Sequence, residues 1–155
     1  MSAYDCRVST PEQDTELPAA GPGFALWRVS NAWQRAVRAA LEPWGLTHAQ
    51  AIVLATLDAV GGNGQAKQHE VAQAAGMDPM TTSQVVRVLE GKELVKRARH
   101  PEDGRAVTLA LTQKGKRVLS KAMPAIAEVD DRFFSGAGRN KSALVSALAA
   151  MVAPS

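Results

Sequence analysis

The segment from Asp78 to Lys116 constrains this chain most. Asp78-Pro79 is a strong helix start. An aspartate there accepts from otherwise unpaired amides, and proline fits the first turn because its missing donor is not needed. Two strand-like runs follow, Leu94 to Arg99 and Arg105 to Leu111. In the second, Val107, Leu109 and Leu111 alternate with Ala106, Thr108 and Ala110, the period of a half-buried strand. Between the runs lies His100-Pro101-Glu102-Asp103-Gly104-Arg105, whose Pro and Asp-Gly supply turn chemistry. Thr112 then caps a second helix. The order is helix, hairpin, helix, with an arginine at the hairpin tip.

Charge follows the same boundaries. From Arg87 to Lys121 there are ten Lys/Arg and four Asp/Glu, a net of +6, whereas the whole chain carries +3. The compensating −3 lies in the first twenty residues, where one Arg faces four acids. Segments 21–86 and 122–155 are each balanced. Basic charge is therefore concentrated on one element, as a polyanion-binding face requires.

The remaining length supports one compact domain. With 155 residues and 46% hydrophobic content, a core is available. No apolar run approaches the ~20 residues needed to span a bilayer, and the N-terminus has no apolar signal region. Cys6 is the only cysteine, so no intrachain disulfide is expected, and a cytoplasmic location is the simplest reading. Residues 1–21 contain Pro11 and Pro18 without helical periodicity and read as a flexible tail; residues 22–155 read as a single domain.

Within that domain a helix is expected from Phe24 to about Pro43, with Trp27, Trp33 and Val37 covering more than one face. Thr47-His48-Ala49-Gln50 fits a capping box opening a helix to about Val60. Gly61-Gly62-Asn63-Gly64 reads as a loop. A short helix, about Lys67 to Ala75, ends before Gly76, which suits a left-handed position. Only Gly76 to Asp78 separates it from the next helix, the connection of a helix-turn-helix. Beyond Thr112 a long helix carries Val118, Leu119, Ala122, Ile126 and Val129, with Pro124 expected to kink it. Gly136 and Gly138 set off a last helix, about Asn140 to Val152, striped by Leu144, Ala147, Leu148 and Met151.

The helix after Asp78 can be read by angle, at about 100° per residue. Thr82, Val85, Val86 and Leu89 cluster on one side, which has to be the core side. Met80, Ser83, Gln84, Arg87 and Gly91 cluster opposite, with no acid before Glu90. A solvated surface helix would mix Glu and Lys at i,i+4. This arc instead carries hydrogen-bonding groups suited to base edges and phosphates. The fold class is mostly α with a small β-hairpin wing.

The motifs resemble those of the multiple-antibiotic-resistance regulator (MarR) family. Asp78-Pro79-Met80-Thr81-Thr82-Ser83-Gln84 matches the opening of that family's recognition helix, and Leu89-Glu90 its close. Leu94-Val95-Lys96-Arg97 matches the start of its wing, Asp103-x-Arg105 the tip, and Leu111-Thr112-Gln113-Lys114-Gly115 the end. Two positions depart. Glu93 stands where the family usually has Gly, and Gln84 where it usually has a basic residue. The resemblance implies a dimeric winged helix-turn-helix regulator of double-stranded, near-palindromic DNA, with residues 47–112 as the DNA-binding unit and 22–45 and 113–155 as dimerisation helices. Such regulators are often released by a small phenolic or lipophilic ligand, or by oxidation.

On that footing Arg105 would enter a minor groove, whose negative potential attracts arginine, with Asp103 fixing its guanidinium. Thr81, Ser83, Gln84 and Arg87 would face the major groove. Lys96 and Arg97, with Arg99, are either phosphate neutralisers or solvated wing charges. Trp27, Asn31 and His48 could line an effector cleft, or belong to the core. Cys6 would be the residue of a redox-sensing alternative, although Arg7 alone is a poor activator. His48, His69 and His100 show no metal-ligand spacing, and no cofactor is expected. No nucleophile elbow, phosphate loop or paired carboxylate suggests an enzyme; Asp130-Asp131 point to different faces of one helix. A protein–protein adaptor on the same fold is the remaining alternative.

Overall fold

The computed structural model describes residues 21–61, 65–100 and 106–152. Six α-helices and three short strands run in the order α1 (Pro22–Leu41), α2 (His48–Val60), β1 (Ala66–Lys67), α3 (Gln68–Ala74), α4 (Pro79–Gly91), β2 (Val95–Arg99), β3 (Val107–Leu111), α5 (Gln113–Phe133) and α6 (Lys141–Val152). A single 3₁₀ turn follows α1 at Glu42–Trp44, and a longer 3₁₀ segment, broken at Gly138, bridges α5 to α6 at Phe134–Asn140.

Local chemistry sets most boundaries. Gly45, at φ +60°, closes the turn after α1. Thr47 and Gln50 form the reciprocal capping box at α2, with both hydrogen bonds at 3.3 Å. Asp78 accepts from the Thr81 amide at 2.9 Å to open α4, and Thr112 accepts from the Gly115 amide at 2.9 Å to open α5. Gly76 adopts φ +63° between α3 and α4, and the Met77 amide returns to Ala72 O at 3.0 Å. That left-handed residue turns α4 across α3.

The sheet has one more strand than the expected ribbon. Its order is β1-β3-β2, antiparallel throughout. Val95 pairs with Leu111 and Arg99 with Val107, while Ala66 pairs with Leu109. Because β3 is central, both of its edges are paired. Thr108 is buried along with Leu109, so the alternation seen in the sequence is not repeated in burial. Thr108 Oγ1 donates to Ala98 O at 3.2 Å, which satisfies the buried hydroxyl.

The core gathers Val37 and Leu41 from α1, Leu54 and Leu57 from α2, Val71 from α3, Val86 and Leu89 from α4, and Leu109 from β3. Thr82 is fully buried among them, its hydroxyl donating to Asp78 O at 2.9 Å. Leu119, Ala122, Ile126 and Val129 of α5 complete the cluster. The α5 helix runs through Pro124 as one element, with Pro124 on its exposed side. By contrast, α6 contains no buried residue. No described helix is long and apolar enough to cross a membrane.

Candidate nucleic-acid interface

The recognition arc forms because α4 is amphipathic. Thr82, Val86 and Leu89 are buried against the core, which leaves Met80, Gln84 and Arg87 exposed and Ser83 half-buried on the other side. Thr81 is also exposed, but its hydroxyl and amide both hold the Asp78 carboxylate. Those hydrogen bonds keep the Asp78 carboxyl below its ordinary range. Thr81 therefore serves the helix cap before it can serve a ligand.

The frame behind α4 uses two of the basic residues internally. Lys92, just past the helix end, donates to Gly45 O at 2.5 Å and to Gln50 Oε1 at 2.9 Å. It thereby ties α4 to the turn between α1 and α2. Lys114 donates to Lys92 O at 2.9 Å and to the Glu93 carboxylate at 3.1 Å. The sequence offers no signal for either role, because both are contacts of long separation. Arg87, on the outer arc of α4, is exposed, as are Lys96 and Arg99 on β2.

The junction between α4 and the wing is the tightest part of the frame. Glu93 has φ +61°, the left-handed region, and is the one non-glycine among the described residues to do so. This is the position at which the resemblance leads one to expect Gly. Thr112 Oγ1 lies 2.7 Å from Glu93 O and 3.2 Å from Leu94 O, and the Thr112 amide donates to Leu94 O at 3.0 Å. Gly115 packs directly on Leu94. The start of the wing and the start of α5 are thus one fastened unit.

On the wing itself, strand alternation separates two predicted residues. Arg97 pairs with Leu109 and is half-buried, whereas Lys96 pairs with Ala110 and is exposed. They lie on opposite faces of β2. The His100 amide donates to Ala106 O at 2.9 Å and closes the base of the tip. Asp103 and Arg105 lie outside the described residues, as does Cys6.

The three residues suggested for an effector cleft are not brought into one cluster by contacts. Trp27 is 62% exposed and stacks on Phe24 at 5.8 Å. Asn31 is half-buried. His48 meets Trp33 instead, edge to face with ring centroids 4.8 Å apart. The Trp33 indole N–H donates to Asp130 Oδ1 at 2.6 Å, joining α1 to α5. Burial pushes the His48 imidazole pKa below its ordinary value, and the Asp130 carboxylate opposes this. Trp33 and Asp130 were missed because a Trp at helical spacing reads as core and a helical Asp as solvated surface. Asp131, next along the chain, pairs with Lys141 at 2.8 Å, so the two carboxylates do serve different faces.

Comparison with known proteins agrees with this frame. A model of the MarR family matches residues 44–106. YdcH of Bacillus subtilis, described as an uncharacterised HTH-type transcriptional regulator, is 34% identical over 128 residues, which cover 82% of this chain and 87% of that protein. Among solved structures, the transcriptional repressor CouR bound to a 23-mer DNA duplex aligns with a TM-score of 0.77 and 34% identity, over 85% of this chain and 92% of that one. The PcaV regulator of Streptomyces coelicolor aligns with a TM-score of 0.72 and 27% identity, over 86% and 95%. With the capped recognition helix, the antiparallel wing and a relative this similar along most of its length, the chain belongs to the MarR family of winged-helix, DNA-binding transcriptional regulators.

Proposed function

We propose that the protein is a homodimeric repressor of near-palindromic operators, released by a small aromatic or lipophilic effector. The observation that carries this reading is the exposed arc of Gln84 and Arg87 on a helix whose opposite side is locked into the core. Ser83, Gln84 and Arg87 read base edges in the major groove. Arg105 enters the adjacent minor groove with Asp103 orienting it. Lys96 neutralises phosphate from one face of the strand, and Arg97 and Arg99 do so from the other. CouR, a repressor in complex with DNA, supports the direction of regulation.

Residues 22–155 act as one domain in this reading, and the copy-to-copy contact uses α6 and the first half of α1. Leu26, Trp27 and Val29 of α1 and Leu144, Val145, Leu148 and Met151 of α6 are all exposed in the single chain. A two-fold dimer would place two recognition helices one DNA turn apart. The effector sits near His48 and Trp33, where α1, α2 and α5 meet, with Trp27 and Asn31 further along α1. It acts only by preferring the arrangement that does not fit DNA.

The test is selection of a duplex from a randomised pool, followed by titration across salt concentrations. An inverted-repeat duplex should be enriched, and its affinity should fall steeply with salt. Arg87→Ala and Arg105→Ala should each weaken it by about 1–3 kcal/mol while leaving the melting curve in place. Binding without sequence preference and without salt dependence would favour the adaptor reading instead.

A further inference from the structure

Among Met80, Ser83, Gln84, Arg87 and Gly91 of the recognition arc, Met80 is the large apolar residue. Met80 is 72% exposed. It is the second residue of α4, which begins at Pro79. At about 100° per residue, Met80 falls within about 60° of Gln84 and Arg87, and so shares their stripe. On the other flank, Thr82 of the same turn is fully buried, so the α4 backbone fixes where Met80 stands.

An unbranched thioether has no use for phosphates and no hydrogen bond to offer a base. Within the major groove, the thymine C5-methyl is the one apolar group that distinguishes a base pair. In a helix-turn-helix, the N-terminal residues of the second helix are the ones that reach base edges. Met80 stands at that end. Methionine also adapts its shape to irregular apolar surfaces.

We propose that Met80 is a specificity-determining residue that packs on the C5-methyl of a thymine in each half-site, beside the base read by Gln84. This rests on the assignment of α4 to the major groove. It adds a requirement which the polar residues of the arc do not impose: a methyl group at one defined position.

Deoxyuridine in place of thymine removes that methyl and leaves base pairing intact. The probe is the duplex that the wild-type protein enriches from a randomised pool, with each thymine replaced in turn, alone and with its symmetry mate. For wild type, replacement at one thymine per half-site should lower affinity about fourfold for each methyl lost. Met80→Ala should show the same loss on the thymine duplex and no further loss on the deoxyuridine duplex at that position. Met80→Leu should restore most of the sensitivity. The exposed position makes each variant foldable, and an unchanged thermal melt checks this. A wild-type protein that selects a duplex but responds to no deoxyuridine, or a Met80→Ala variant as sensitive as wild type, overturns the Met80 assignment and leaves the groove assignment standing. A wild-type protein that selects no duplex overturns both.

Discussion

Gly115 lies so close to Leu94 that a Cβ placed on it would fall 2.1 Å from the Leu94 carbonyl oxygen. The same oxygen accepts from the Thr112 amide. The carbonyl that opens the wing is therefore seated in the first turn of α5, and no side chain fits between them. This explains in physical terms why a glycine follows Leu111-Thr112 at this spacing.

Gly115→Ala should consequently destabilise the protein, although alanine is the better helix former by about 1 kcal/mol. The clash is with backbone, so either α5 or the wing must shift. A net loss of about 2–3 kcal/mol is expected, read as a lower Tm. Operator affinity should fall as well, because the wing moves with Leu94. An unchanged Tm would show that the junction is looser than it stands.

Glu93→Gly should act in the opposite direction. Glu93 occupies the left-handed region at φ +61°, which costs a residue with a Cβ roughly 1–2 kcal/mol. Glycine removes that strain and returns part of the gain through unfolded-chain entropy. The lost ion pair with Lys114 joins two exposed side chains and contributes little. The expected gain is about 0.5–1 kcal/mol, seen as a higher urea midpoint at constant m-value. Glu93→Ala is the control: it loses the ion pair without relieving the strain, and should not stabilise.

These two positions show what the chain's sequence makes legible. The caps at Thr47, Asp78 and Thr112 and the turn at Gly76 act within three or four residues, so these roles follow from local chemistry. The inward set Thr82, Val86 and Leu89 follows from helical period alone. The Gly115–Leu94 approach, the double clamp of Lys92 and the Trp33–Asp130 bond join residues that are 21 to 97 positions apart, and no local pattern announces them. Strand β1 has only two residues, too short for alternation to register, so its pairing with β3 is not announced by the sequence. Helical spacing alone does not distinguish the exposed Trp27 from Trp33, which meets His48.

Trp33→Phe should separate the hydrogen bond from the packing. The indole N–H meets Asp130 Oδ1 at 2.6 Å in a half-buried setting. Phenylalanine keeps most of the ring and leaves the carboxylate short of a donor. A loss of about 1–2 kcal/mol is expected by denaturant titration. In Asp130→Asn the amide oxygen can still accept, so a smaller loss is expected. Equal losses in the two variants would mean that the bond needs a charged acceptor.

Stability should also depend on pH through His48. Its folded-state pKa lies below the ordinary value, which is about 6.5. Between the two values the unfolded chain binds the proton and the folded chain does not, so stability rises with pH. The contribution is complete above about pH 6.5 and is lost as pH falls through the folded value. His48→Gln should flatten the slope of unfolding free energy just below that pH. Asp130→Asn should move the His48 titration lower still, since that carboxylate opposes the shift; an NMR titration that moved upward would contradict this geometry.

Helix α6 gives the sharpest test of assembly. It has 12 residues and buries none of them within its own chain. An isolated helix of that length is marginal in water, because nucleation outweighs so few added bonds. Yet Leu144, Val145, Leu148, Met151 and Val152 leave it strongly apolar. A second copy of the chain is the partner proposed for it, together with the exposed apolar start of α1. Leu148→Asp should therefore yield monomer by light scattering, with a fall in helical ellipticity as α6 melts. Operator affinity should fall with it, since two half-sites would no longer be bound together. The Tm of the remaining core should change little, because Val37, Leu54, Val86 and Leu109 do not depend on α6. A variant that stays dimeric with full helicity would place the dimer contact elsewhere.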